Sequence, residues 1–172
     1  MSRRSGVEWV FVGLGANLGD ASGTVRAALK LLGTLPDTTL IASSSLYRTA
    51  PVEATGPDYI NAVAELRTRL TPRALFCELM TLEQGFGRQR PFRNAPRSLD
   101  LDLLLFGERE INSHRLRVPH PRMWQRAFVL APLAELAPDL RCADGRSIAA
   151  GLAGLADQQV VRVAGSSSGA DA

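Results

Sequence analysis

Tyr59-Ile60-Asn61-Ala62-Val63-Ala64-Glu65-Leu66-Arg67-Thr68-Arg69-Leu70 changes character at every step. Ile60, Ala62, Ala64 and Leu66 fall on one side and Asn61, Val63, Glu65 and Arg67 on the other, which is the period of a half-buried β-strand. The next residues, Thr71-Pro72, open a helix: threonine can cap it, and proline at the first helical position gives up nothing. This helix runs to about Gly85, with Leu75, Leu79 and Leu82 as its buried stripe and Glu78 and Glu83 off it. Upstream, residues 8–15 (EWVFVGLG) are rich in β-formers and lead into the turn Gly15-Ala16-Asn17-Leu18-Gly19. A helix capped by Ser22 or Thr24 follows, carrying Val25, Ala28, Leu31 and Leu32 until Gly33 and Pro36 end it. Residues 38–47 read as a second strand, 50–57 as a Pro/Gly loop and 99–106 as a fourth strand. Shorter elements come after Gly107, with helices near 126–136 and 147–155. The order strand, helix, strand, strand, helix, strand is the split βαβ pattern of an α+β, ferredoxin-like fold. It predicts a mainly antiparallel sheet with helices packed on one face and the other face free for a ligand.

Composition agrees with a globular chain. Of 172 residues 45% are apolar and 22% charged, with 15 Gly and 10 Pro, which excludes collagen, coiled coil and wholesale disorder. One domain is expected over residues 1–163. The Ser/Gly-rich end 164–172 (AGSSSGADA) reads as a disordered tail. No apolar run approaches the roughly 20 residues of a membrane span, and no apolar leader follows Arg3 and Arg4, so a cytoplasmic protein is expected. Cys77 and Cys142 have no second ligand at metal spacing and form no disulfide framework; both read as buried or incidental thiols.

The net charge is a mild +3, yet Lys30 is the only lysine among 20 basic residues. Arg88, Arg90, Arg93 and Arg97 crowd one stretch and Arg115, Arg117, Arg122 and Arg126 another. The guanidinium fork suits phosphate oxygens, so two such clusters point to a polyanionic ligand. Between them lies Asp100-Leu101-Asp102, inside an apolar strand. Alternation puts both carboxylates on one face, about 7 Å apart, where they repel unless a cation or an arginine compensates them. One reading is a solvated strand face with Arg97 as ion-pair partner. The other is a Mg²⁺ site, because Mg²⁺ takes one or two carboxylates and completes its shell with water and substrate phosphates. The flanking arginines favour the second.

Arg93-Asn94-Ala95-Pro96-Arg97-Ser98-Leu99-Asp100-Leu101-Asp102-Leu103-Leu104 resembles the signature of the 6-hydroxymethyl-7,8-dihydropterin pyrophosphokinases of folate biosynthesis. The resemblance extends to Gly15-Ala16-Asn17-Leu18, Tyr47-Arg48-Thr49-Ala50-Pro51 and Pro57-Asp58-Tyr59-Ile60-Asn61-Ala62, and to the late segments Val118-Pro119-His120-Pro121-Arg122-Met123 and Arg126 to Leu133 (RAFVLAPL). It covers about residues 10–145. Departures are Ala16 for a frequent Ser, Asn94-Ala95 for a frequent Trp-Gly, Pro121 for an aromatic residue and Arg117 for a small polar one.

The resemblance implies an enzyme, an ATP-dependent diphosphotransferase that moves the β,γ-diphosphate of ATP onto the pterin hydroxymethyl oxygen and releases AMP. It implies two Mg²⁺ ions on Asp100 and Asp102, with Arg88 and Arg97 joining them as catalytic residues. Arg88, Arg90, Arg93, Arg97, Leu103, Arg115, His120 and Arg126 fall at ATP-binding positions. Thr49, Ala50, Val52, Tyr59, Asn61 and Phe128 fall at pterin-binding positions, with Tyr59 and Phe128 as stacking rings and Asn61 as the amide that reads the pterin edge. Glu83 matches a structural or ligand-adjacent helix acid. Partners are then ATP and the dihydropterin alcohol, with no nucleic acid and no membrane, and a monomer is expected. A single-strand RNA binder shares the topology, but its aromatic strand pattern is missing here and two acids on a central strand would repel a phosphate backbone. Metal-dependent nucleotidyl transfer would also use the two aspartates with arginines; Tyr59, Asn61 and Phe128 together favour a pterin acceptor.

Overall fold

The structure is a computed structural model that describes residues 6–51, 56–87 and 99–163. Its order is β1 (Glu8–Ala16), α1 (Ala21–Leu32), β2 (Thr38–Ser43), β3 (Tyr47–Thr49), β4 (Tyr59–Thr68), α2 (Pro72–Gly87), β5 (Asp100–Phe106), β6 (Ile111–Asn112), β7 (Arg117–Val118), a 3-10 turn (Met123–Gln125), α3 (Ala127–Leu136), α4 (Ile148–Ala153) and β8 (Val161–Arg162). The main sheet runs β5-β1-β4-β3-β8, with β2 also on β4, and every pairing is antiparallel. The split βαβ arrangement and its antiparallel sheet are therefore present as the sequence predicts. The β6–β7 hairpin stands apart from the sheet.

Strand alternation sorts the core into two layers. Val10, Val12 and Leu14 of β1, Ile60, Ala62, Ala64 and Leu66 of β4 and Leu101 and Leu103 of β5 meet Val25, Ala28 and Leu32 of α1 and Leu75 and Leu79 of α2. Leu66, Leu75 and Leu79 are each buried to 2% exposure or less; complete burial of such a side chain stabilises by about 1.5–3 kcal/mol. The opposite face is not free. Phe11, Val63, Leu104 and Leu105 pack against Val129, Leu130 and Leu133 of α3 and Ile148 of α4. The expectation of one bare face is thus corrected: an apolar face of that size needs a cover, and α3 and α4 supply it over part of its length.

Two local expectations also change. Asp20, not Ser22 or Thr24, caps α1, its carboxylate accepting from the Gly23 N–H at 3.0 Å. The second strand breaks into β2 and β3 at Ser44 and Ser45, whose side chains make other bonds: the Ser44 hydroxyl accepts from the Val63 N–H at 3.0 Å, and the Ser45 hydroxyl donates to Glu135 at 3.1 Å. Cys142 is buried, its thiol pushed up to about 11 by that burial, whereas Cys77 is exposed. At α2 the expected start stands, with Thr71 Oγ1 accepting from the Ala74 N–H at 3.1 Å. The tail 164–172 lies outside the described residues.

Candidate active site

On the α3 face of β1 the side chains run Trp9, Phe11, Gly13, Gly15, from the largest to none. The two glycines open a floor. Register fixes its flanks: Gly15 lies opposite Asn61 on β4 and Asp100 on β5, and Gly13 opposite Val63 and Asp102. With strands about 4.8 Å apart, the backbones of Asn61 and Asp100 are separated by roughly 10 Å across Gly15. A Cβ at Gly15 would stand 2.9 Å from Asn61 Oδ1, so glycine is required for that amide to lie over the floor.

The resulting cavity has a volume of about 350 Å³ and is lined by Gly13, Gly15, Thr49, Ala50, Tyr59, Asn61, Asp100, Asp102, Arg126 and Phe128 among others. Five of the positions expected to bind pterin, both aspartates and Arg126 are therefore brought together. Asn61 is buried, and its Nδ2 donates to Thr49 Oγ1 at 3.1 Å, which fixes the amide. Tyr59 and Phe128 reach the same space from different elements, β4 and the first turn of α3. The Arg126 guanidinium stands 5.6 Å from the Phe128 ring centroid. A wider groove of about 870 Å³ shares Thr49, Ala50, Arg126 and Phe128 with the cavity and adds Arg48, Arg122 and Gln158.

His120 is carried to the acidic side by a backbone bond from its N–H to Leu104 O at 2.9 Å. Its Nδ1 accepts from the Arg122 N–H at 3.2 Å, and its Nε2 lies 3.8 Å from Asp102 Oδ1. Burial pushes this imidazole below its ordinary range and Arg126 and Arg122 reinforce that, with Asp102 opposing. Glu83 of α2 accepts the Leu101 N–H at 2.7 Å, anchoring the backbone between the two aspartates.

Other positions fall elsewhere. Leu103 is buried in the α1/α2 layer, because alternation turns it away from Asp102 and Leu104. Arg115 lines a separate groove of about 370 Å³ between α2 and the β6–β7 hairpin. Arg88, Arg90, Arg93, Arg97 and Val52 lie outside the described residues. Sequence reasoning missed Gly13 as floor; its signal was the shrinking alternate series from Trp9 to Gly15.

The chemistry of the donors fits Mg²⁺. Asp100 and Asp102 offer hard carboxylate oxygens beside an open cavity, and among the described residues no group of three or more His, Cys, Asp or Glu side chains forms a closed cage. An ion that keeps water and takes substrate phosphates needs no such cage.

A family model described as 7,8-dihydro-6-hydroxymethylpterin-pyrophosphokinase matches residues 11–138. The chain is 45% identical over 160 residues to the 2-amino-4-hydroxy-6-hydroxymethyldihydropteridine pyrophosphokinase of Pseudomonas aeruginosa, covering 92% of this chain and 99% of the relative. It is 38% identical over 154 residues to the enzyme of the same name from Haemophilus influenzae, covering 89% and 96%. Among solved structures, a Plasmodium falciparum HPPK-DHPS superposes with a TM-score of 0.70 at 12% identity, over 89% of this chain and 45% of that one, a likeness of fold alone. With the family model spanning most of the sequence and its relatives matched nearly end to end, the chain belongs to the 7,8-dihydro-6-hydroxymethylpterin-pyrophosphokinase family.

Proposed function

We propose that this folate-biosynthesis pyrophosphokinase works by dividing one cavity between two walls. The observation that carries the reading is the row Asn61, Gly15, Asp100, in which an amide and a carboxylate flank a glycine that puts no side chain between them. On the β4 side Asn61, held by Thr49, reads the polar edge of the pterin while Tyr59 and Phe128 sandwich its rings. Ala50 and Val52 contribute backbone contacts. On the β5 side Asp100 and Asp102 would hold two Mg²⁺ ions, which would supply neutralisation of the β- and γ-phosphate charge of ATP. Arg126 contacts the nucleotide phosphates and His120 meets the nucleotide, one from each side of the 3-10 turn. Arg88, Arg90, Arg93, Arg97 and Arg115 complete the ATP site, with Arg88 and Arg97 catalytic, and Leu103 contributes only through its backbone.

In the reaction the hydroxymethyl oxygen bonds to the β-phosphorus, the bond from that phosphorus to the α,β-bridging oxygen breaks, and AMP leaves with the electron pair. The alcohol proton passes to solvent. No protein nucleophile is required, since positioning and charge neutralisation carry this type of transfer. The working unit is a monomer of one domain, residues 1–163, acting in the cytoplasm on small substrates without nucleic acid or membrane. None of the described helices is long and apolar enough to cross a membrane. The test is product analysis: AMP and pterin diphosphate should form in equal amounts only when ATP, Mg²⁺ and the dihydropterin alcohol are all present. Formation of ADP, or of AMP without the alcohol, would contradict it.

A further inference from the structure

Arg126 and Phe128 sit at the start of α3, a point that its own sequence leaves uncapped. A helix exposes its first N–H groups, and a Ser, Thr, Asp or Asn at the cap normally meets one of them. Here the cap residue is Arg126, extended at φ −127 and ψ 104, and its side chain makes no capping bond. The partner comes from far along the chain. Gln158 Oε1 accepts the Ala127 N–H at 2.8 Å, and Gln158 Nε2 donates to the Gln125 carbonyl at 3.0 Å. One side-chain amide therefore grips the residues on both sides of Arg126, across sequence separations of 31 and 33.

The segment bearing Gln158 is itself tied down. The Val163 N–H donates to Leu46 O at 2.8 Å, Val161 and Arg162 pair with Arg48 and Tyr47 of β3, and the Arg162 guanidinium lies 3.6 Å from Glu135 of α3. It lies beyond residue 138, where the family match ends. Holding a solvent-exposed glutamine in one rotamer costs side-chain entropy, which an isolated surface hydrogen bond scarcely offsets. Two bonds that bracket a single residue do more than stabilise a terminus: they fix the direction in which that residue and the next turn of helix project.

We propose that Gln158 is a positioning residue for the transfer, setting the aim of the Arg126 guanidinium and the Phe128 ring through the peptide groups on either side of Arg126. This rests on the reading of Phe128 as a pterin-stacking ring and Arg126 as a phosphate contact. Ala127 is buried, so releasing its N–H costs some stability as well as aim, and the KM readout separates the two.

The experiment compares Gln158→Ala, Gln158→Glu and Phe128→Ala by steady-state kinetics in both substrates and by thermal melting. Gln158→Ala should raise the KM for the dihydropterin alcohol and lower kcat, together a loss of about tenfold or more in kcat/KM, with Tm lowered by several degrees. Gln158→Glu keeps an acceptor for the Ala127 N–H and should recover part of the pterin KM. A merely structural role lowers the amount of active enzyme and so lowers apparent kcat at unchanged KM. Wild-type pterin KM in Gln158→Ala, with Phe128→Ala raising that KM, would overturn the proposal while leaving the site intact. Wild-type pterin KM in Phe128→Ala would overturn the site reading and the proposal with it.

Discussion

The two faces of the sheet use the same strands to opposite ends. Toward α1 and α2, β1 and β4 present Val10, Val12 and Leu14 and Ile60, Ala62, Ala64 and Leu66, an unbroken apolar stretch. Toward α3, the same strands are graded. β4 passes from the ion pair Arg67–Glu65 at 2.8 Å, through the fully buried Val63, to Asn61 at the cavity. β1 shrinks from Trp9 to Gly15, and β5 goes from Leu104 to Asp102 and Asp100. A uniform face closes a core and a graded one leaves an end of the sheet uncovered, where polar groups can face a ligand without having to be paired among themselves. The difference teaches that stability and function are separated here by strand parity rather than by domain.

The largest predicted break in that separation is at β5. Asp100→Ala or Asp102→Ala should remove turnover while leaving the α1/α2 core intact, since each deletes a carboxylate proposed to hold Mg²⁺ at the phosphates. A loss of several kcal/mol of transition-state stabilisation, about a thousandfold or more in kcat, is expected with little change in Tm. Stopped-time AMP assays and thermal melting on the same preparations check it.

Next in size is the floor. Gly15→Ala places a methyl group 2.9 Å from Asn61 Oδ1, whereas the same change at Gly13 meets Leu104 at an ordinary 3.5 Å. Gly15→Ala should therefore match Asn61→Ala in weakening pterin binding by about 1–3 kcal/mol, because the ligand's polar edge loses its partner, while Gly13→Ala costs less. Equal losses in the two glycine variants, read by calorimetric titration, would remove the amide from the account.

The smallest effect concerns the tie between α3 and β3. Glu135 accepts from the Ser45 N–H at 3.1 Å and from the Tyr47 hydroxyl at 2.7 Å. Burial, with the Glu135 carboxylate added, pushes the Tyr47 phenol from 10.0 up to about 12. A raised value means that the folded state holds the proton more tightly than the unfolded one, so this contribution is complete below pH 10 and is lost as the pH rises through about 12. Tyr47→Phe should flatten that alkaline slope in melting experiments without moving the pterin KM.

Much of this was legible in the sequence because it depends on period. The alternation of residues 59–70 placed Asn61 and Val63 on one side, and the spacing of Asp100 and Asp102 placed both on one face. The cover over the second face was not legible, because α3 (AFVLAPLAEL) is apolar on nearly every side and so announces burial without saying against what. The break between β2 and β3 depends on Val63 and Glu135, remote partners that Ser44 and Ser45 find only in the folded chain. The sequence offered Ser22 or Thr24 as the cap of α1 and missed Asp20, because Asp, Ser and Thr all cap well and local spacing does not choose among them. The tethering of α3 by Gln158 left no local trace at all, since both of its partners are more than 30 positions away.

The division between the two walls is tested most directly by titrating the dihydropterin alcohol into Asp100→Asn and Asp102→Asn enzyme at saturating non-hydrolysable ATP analogue and Mg²⁺. The account predicts a pterin Kd within about twofold of the wild-type value in both variants, alongside a turnover reduced about a thousandfold in the parallel assay with ATP. A pterin Kd that weakens in step with turnover would contradict it, because the acidic and amide walls would then be acting as one.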